Sequence, residues 1–265
     1  MGKTWFDSLQ VKATKRFSHG LDVTWTYTFS KELQLGAESD TGGGLINDVF
    51  NRDTNKQLSS VSRPHWMVLA ANYTLPKWGM NRWVDFAVAD WTIGAVLQYG
   101  SGLPFAVPGN ISNNNGTTLL RGGGWSTRVP GQPLFLQDLN CHCFDPSLTE
   151  VLNPLAWTDT PNGQFTPSAA FYNDFRQQRR PSELLSAGRI FRIKEKVTLT
   201  LRAEFNNAFN RTQIPNPRTN RSEVKRTNSA TDPRLVAGFG TINIVATPTA
   251  GWGERQGTLV ARIQF

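Results

Sequence analysis

The chain has 265 residues, 38% of them hydrophobic, below the usual share for a soluble globule, and a formal net charge of +8. No run of about 18 apolar residues occurs, so no transmembrane helix is expected. The N-terminal MGKTWFDSLQVKATK shows no apolar signal-peptide core, and Phe6 breaks the myristoylation pattern. The basic residues are scattered; their densest cluster, RQQRRPSE at 176–183, reads as a solvated loop or a lipopolysaccharide-facing surface, and no nucleic-acid partner is expected.

The first predicted element is a strand at 5–17. Leu9, Val11, Ala13 and Phe17 alternate there with Ser8, Gln10, Lys12, Thr14 and Arg16, the period of two that places each set on its own face of a strand. SHG at 18–20 turns tightly into a second strand at 21–30. In LDVTWTYTFS every apolar residue occupies an odd position and every polar one an even position, and β-branched and aromatic residues dominate.

A long connection, 31–64, leads to a third strand at 65–76. Met67, Leu69, Ala71, Tyr73 and Leu75 share one face of it, and the opposite face is less polar than in its neighbours. A medium link at 77–90 precedes a strand at 91–104, where Trp91, Ile93, Ala95, Leu97 and Tyr99 alternate with Thr92, Gly94, Val96, Gln98 and Gly100. The connection 106–182 holds the only cysteines, Cys141 and Cys143, in NCHCFD. With His142, and Asp138 or Asp145 nearby, this pair falls short of a recognisable zinc spacing, and a loop thiol pair open to oxidation is the plainer reading. The fifth strand, 183–193, is the least regular, because Arg189 falls on either a lipid face or an interface. KEK at 194–196 turns into a sixth strand, 197–209, with Val197, Leu199, Leu201, Ala203 and Phe205 set against Thr198, Thr200, Arg202, Glu204 and Asn206. After a connection rich in Asn, Pro and Ser at 211–254, the last strand covers 255–265. Leu259, Ala261, Ile263 and Phe265 are its apolar set, Thr258, Arg262 and Gln264 its polar set, and Val260 is the exception.

Strands of about ten residues exceed the five or six of ordinary globular sheets and match the tilted crossing of a bilayer. Short and long connections alternate along the whole chain, as they do between the two sides of a membrane barrel. The fold class expected is therefore all-β: a portion of an antiparallel transmembrane β-barrel, with about seven long strands, short periplasmic turns and long extracellular loops. Apolar faces then meet lipid, and Arg16, Thr24, Gln98, Arg202 and Glu204 face a wet lumen. Arg202 and Glu204 are same-face neighbours suited to a structural ion pair. Tyr27, Phe29, Tyr73, Trp91 and Tyr99 near strand ends suit interfacial girdles.

AEFNNAFNRTQIPNP, YGSGLPFAVPGN, and GFGTI followed at the end by GTLVARIQF together resemble the C-terminal barrel region of TonB-dependent outer-membrane receptors, nearest to the Oar-like branch that carries a carboxypeptidase-regulatory domain. The resemblance covers most of 60–105 and 183–265, and 5–31 more weakly. It implies the outer membrane of a Gram-negative-type bacterium, uptake of a large or scarce nutrient, and no cofactor. It makes residues 1–265 a fragment, the last part of a barrel whose plug and remaining strands are absent and which meets the TonB system only through that absent N-terminal part. It assigns Leu259, Ala261, Ile263 and Phe265 to the signal read by the barrel-assembly machinery.

Two other classes fit the sequence less well. A soluble carbohydrate-binding module would use exposed Trp83, Trp125 and Trp157 to stack sugars. An enzyme would need a constellation around His19, His65 or His142, and neither a nucleophile elbow, a zinc-protease helix nor a phosphate loop occurs.

Overall fold

A computed structural model describes residues 2–35, 48, 50–76, 89–110, 124–141, 143–194, 197–231, 236–244 and 254–265. Seven long strands dominate it: β1 (Lys3–Ser18), β2 (Leu21–Leu35), β3 (His65–Thr74), β4 (Trp91–Gly100), β5 (Ser182–Lys194), β6 (Val197–Asn206) and β7 (Gln256–Gln264). They lie side by side in chain order, each antiparallel to the next. A short strand, Lys56–Leu58, adds to the far end of β2. Among the described residues the sheet is open, with β1 and β7 at its edges.

The turn between β1 and β2 needs only His19 and Gly20, both at positive φ (53° and 82°); this backbone matches the twist of the strands it joins. β1, β3 and β5 end, and β2, β4 and β6 begin, at one end of the sheet, here the turn end. The long connections leave from the other, the loop end.

Cross-strand pairing confirms the period of two as a division of faces. One row runs Trp25, Leu69, Leu97; the next runs Val23, Ala71, Ala95, Leu185, Phe205. Toward β7 the same face carries Leu201 opposite Ala261 and Leu199 opposite Ile263. The other face runs Asp22, Asn72, Gly94, Ser186, Glu204, Thr258. The apolar face is bare over much of its area: Leu9 is 60% exposed, Ile93 47%, Leu201 44% and Ile263 62%.

The buried apolar core lies elsewhere. All its members, from Leu58 to Ile242, sit outside the seven long strands, in the connections at the loop end. Phe175 is wholly buried at its centre, with the rings of Phe105, Phe135 and Trp157 at 5.2, 5.6 and 5.2 Å. Short pairings frame it: Pro104–Ala106 with Phe171–Arg176, and Thr127–Arg128 with Trp157–Thr158. Composition marks these segments as loops, yet they fold into a packed cap. The apolar residues that build it follow no period, because each is placed by an individual turn rather than by a repeating backbone.

Trp125 and Trp157 are therefore not the exposed stacking platforms a carbohydrate-binding module requires. They are 8% and 5% exposed and belong to the cap core, and Trp125 donates its indole N–H to the Ser168 carbonyl at 2.6 Å. Trp83 lies outside the described residues.

Candidate functional site: the junction of sheet and cap

Two of the motifs that carried the family resemblance lie where the cap joins the sheet; the third begins in the cap core and ends as the edge strand β7. In NNAFNR, Asn207 and Asn210 adopt positive φ (48° and 51°), a conformation Asn tolerates better than most residues. The Asn207 side chain closes the turn by donating to the Arg211 carbonyl and accepting from the Arg211 N–H, at 2.9 and 2.8 Å. Asn210 accepts from the Arg255 N–H at 3.3 Å. The connection that leaves β6 is thus tied to the residue that enters β7.

The same turn carries Arg211 to Glu183, at the start of β5. Its Nε lies 2.8 and 3.0 Å from the two carboxylate oxygens. The Tyr99 hydroxyl donates to the same carboxylate at 2.8 Å, and the Ala208 N–H donates to the Glu183 carbonyl at 3.0 Å. The Glu183 side chain is 1% exposed, and a buried carboxylate requires such partners. Sequence alternation places Glu183 on the apolar face, and only the pairing with the distant Arg211 accounts for it.

YGSGLPFAVPGN turns from β4 into the cap. A side chain at Gly102 would sit 1.8 Å from the Gln177 carbonyl oxygen, so only glycine admits this approach. Phe105 and Val107 then enter the core. In GFGTI, Gly240 has φ 70° and its own carbonyl accepts from the Val151 N–H at 2.8 Å; this places Phe239 and Ile242 wholly inside. Arg176 joins three segments, donating to the carbonyls of Ser62 and Gly102 at 2.7 and 3.0 Å and to that of Asn173 at 2.9 Å. Burial depresses its guanidinium below the usual range, and these acceptors compensate the lost hydration.

Between the loop ends of β2–β4 and the cap lies a cavity of about 980 Å³. Tyr27, Met67 and Tyr99, which form one cross-strand row, line its sheet side, and Asn140, Arg179 and Arg211 line its cap side. Sequence reading found none of this site beyond the motif letters. Of its lining, Tyr27 and Tyr99 stand out in the sequence, and there as girdle aromatics near strand ends rather than as cavity walls.

Thr24, Gln98, Arg202 and Glu204 fall on the polar face by register. Arg202 and Glu204 form the expected ion pair at 3.0 Å. Arg16 lies within a bulge between Lys15 and Ser18 where the pairing shifts, so pairing does not fix its face. Leu259, Ala261 and Ile263 share the apolar face of the edge strand β7, and Phe265 follows it, 99% exposed. Cys141 and Cys143 are joined as a disulfide; His142 lies outside the described residues. Among the described residues no group of three or more His, Cys, Asp or Glu is placed to hold a metal.

The aromatics form two bands on the apolar face. Tyr27, Phe29 and Tyr99 lie toward the loop end, Tyr73 and Trp91 toward the turn end. From Trp91 to the level of Phe29 is about ten residues, or about 33 Å of strand; at a tilt of about 40° this rises about 25 Å, the height of a barrel's apolar band. Arg189 sits on this face opposite Leu201 and Trp91, with its guanidinium 4.8 Å from the Phe191 ring, an arrangement that lets a long cationic side chain lie along apolar surface.

A bare apolar face bounded by aromatic bands, a polar opposite face and loops at one end define a sheet of membrane-spanning strands. The chain belongs to the outer membrane beta barrel domain family, whose model matches residues 1–257, and this places it in the outer membrane. Searches of the curated proteins and of the solved structures found no match.

Proposed function

We propose that the chain is the C-terminal barrel segment of a TonB-dependent receptor of the Oar-like branch, which takes up a large or scarce nutrient and performs no covalent chemistry. The observation that carries the reading as a segment is the sheet, open among the described residues; the receptor branch rests on the motif resemblance. β1 and β7 are separated by an even number of antiparallel steps and run in the same direction. They cannot pair antiparallel with each other, nor can those edges pair antiparallel between copies inserted with the same orientation. Only an odd number of further strands closes such a sheet, and in lipid an unpaired edge costs several kcal/mol for each unsatisfied backbone group.

On this reading the missing strands and plug come from sequence outside these residues, and the TonB system acts through that part. Arg16, Thr24, Gln98, Arg202 and Glu204 face the lumen and plug. Leu259, Ala261, Ile263 and Phe265 engage the barrel-assembly machinery, and 31–64, 106–182 and 211–254 face outward and capture the ligand. Deleting the gene and screening uptake of nutrients tests it. An active receptor loses uptake of one substrate class on deletion, and loses the same uptake in the intact strain when the inner-membrane proton gradient is dissipated. Uptake that survives dissipation identifies a passive pore instead.

A further inference from the structure

A second cavity, of about 770 Å³, opens within the cap. None of its lining residues belongs to the seven long strands, so it lies clear of the rows assigned to lipid, among connections that the receptor reading turns outward. Its turn at 138–141 is built locally. Asp138 Oδ1 accepts from the Asn140 N–H and Nδ2 at 2.9 and 3.3 Å, and the Asp138 carbonyl accepts from the Cys141 N–H at 3.2 Å, the short-range bonding that favours Asp at a turn. The Cys141–Cys143 disulfide fixes the chain directly after it. Asn140 Oδ1 in turn accepts from the backbone N–H and the Nε of Arg179, at 2.9 and 3.4 Å. One amide thus holds a carboxylate on one side of itself and a guanidinium on the other.

Among the described residues, four charged side chains line the cavity, and two of them are already engaged. Asp174 gives both oxygens to Arg128, at 3.1 and 2.6 Å. Arg176 is taken up by the carbonyls of Ser62, Gly102 and Asn173 and by Asn173 Oδ1. Asp138 and Arg179 are both exposed. Asp138 Oδ2 and the terminal nitrogens of Arg179 have no hydrogen-bond partner among the described residues. What remains for a ligand is one anion and one cation, at a separation set by Asn140. Gln137 and Gln177 add amides, and Phe135 and Leu136 add apolar surface. An anionic ligand would meet like charge at Asp138 and a cationic one at Arg179, and like-charge contact selects against both. A neutral sugar would leave both charges unanswered.

We propose that this cavity binds a short peptide with both ends free. Its ammonium group sits at Asp138, its carboxylate on the fork of Arg179, its backbone amides on Gln137 and Gln177, and an apolar side chain against Phe135 and Leu136. This gives the connection 106–182 a ligand class, and it rests on the reading of the chain as a receptor segment.

The test is calorimetric titration of the full chain in detergent micelles with di-, tri- and tetraalanine, and with the N-acetylated and the C-terminally amidated form of each. The tightest free peptide is expected to bind about fivefold or more tighter than either of its blocked forms. Asp138→Asn, which keeps the acceptor of the turn, is expected to remove the discrimination against acetylation and keep that against amidation. Arg179→Gln is expected to do the reverse. Equal affinity for free and blocked peptides, no binding of any, or discriminations indifferent to both variants overturns the proposal. The comparison of free and blocked peptides on the unaltered chain decides by itself should a variant misfold. Detergent-dependent β-structure, followed in the same samples by circular dichroism, reports on the membrane reading separately. A folded chain in micelles that binds no peptide sinks only the cavity proposal. A chain that folds in plain buffer and there shows the expected discrimination sinks the receptor reading and keeps the site.

Discussion

Arg211 places its Nε 2.8 and 3.0 Å from the two carboxylate oxygens of Glu183, across 28 residues of sequence. The carboxylate is 1% exposed and the guanidinium half exposed. Removing the partner of a buried charge costs more than the pair itself contributes. Arg211→Ala is therefore expected to destabilise the junction by about 2 kcal/mol, and Glu183→Gln by less, since its amide still accepts from Tyr99. Urea unfolding of the chain in micelles measures both; equal costs would show that the buried charge is not what matters.

The two sheet faces make a second prediction. Leu201→Lys, on the apolar face and midway along β6, is expected to cost about 2–4 kcal/mol, and Thr200→Lys on the polar face little. Refolding into lipid vesicles against urea compares them, and similar tolerance of the two would contradict the division of faces.

Phe175 is the centre of the cap core, and its ring partners among the described residues, Phe105, Phe135 and Trp157, all lie outside the seven strands. Phe175→Ala is expected to cost the cap about 3–5 kcal/mol while the sheet persists. Limited proteolysis should then cut within 124–181 but leave the heat-modifiable electrophoretic band of a membrane-inserted sheet. Simultaneous loss of that band would show that cap and sheet fold as one unit.

Burial raises the Glu150 carboxyl above its usual range, partly offset by Arg226. A carboxyl whose folded pKa exceeds its unfolded value contributes stability that is present below the unfolded pKa and lost as pH rises through the folded one. Glu150→Gln is thus expected to stabilise the cap at pH 7, with the advantage shrinking as pH falls through the carboxylate range. Hydrogen exchange at the adjacent Val151 and Leu152 amides follows it. An advantage that grows on acidification would reverse the assigned sign.

The strands were legible because a sheet between lipid and water repeats its chemistry every second residue. The period predicts 21–30, and β2 continues to Leu35, where Leu33 pairs with Leu58 and meets the cap beyond the alternating stretch. The site was not legible in the same way. Glu183 and Arg211 are ordinary surface letters until the turn at Asn207 brings them together. Trp125 and Trp157 look like exposed platforms until the cap closes over them. NNAFNR, LPFAV and GFGTI were recognisable as motifs, but their physical reason, the anchoring of a packed cap to the strand ends, depends on contacts distant in sequence, such as Arg211 with Glu183, Phe105 with Phe175 and Gly240 with Val151.

The most direct test of the central claim is where the chain partitions. Given an export leader and expressed in a Gram-negative host, the 265-residue chain is expected to sediment with outer membranes, or to form inclusion bodies that acquire β-structure only in detergent or lipid, as its bare apolar face requires. A folded monomer soluble in plain buffer would contradict the account.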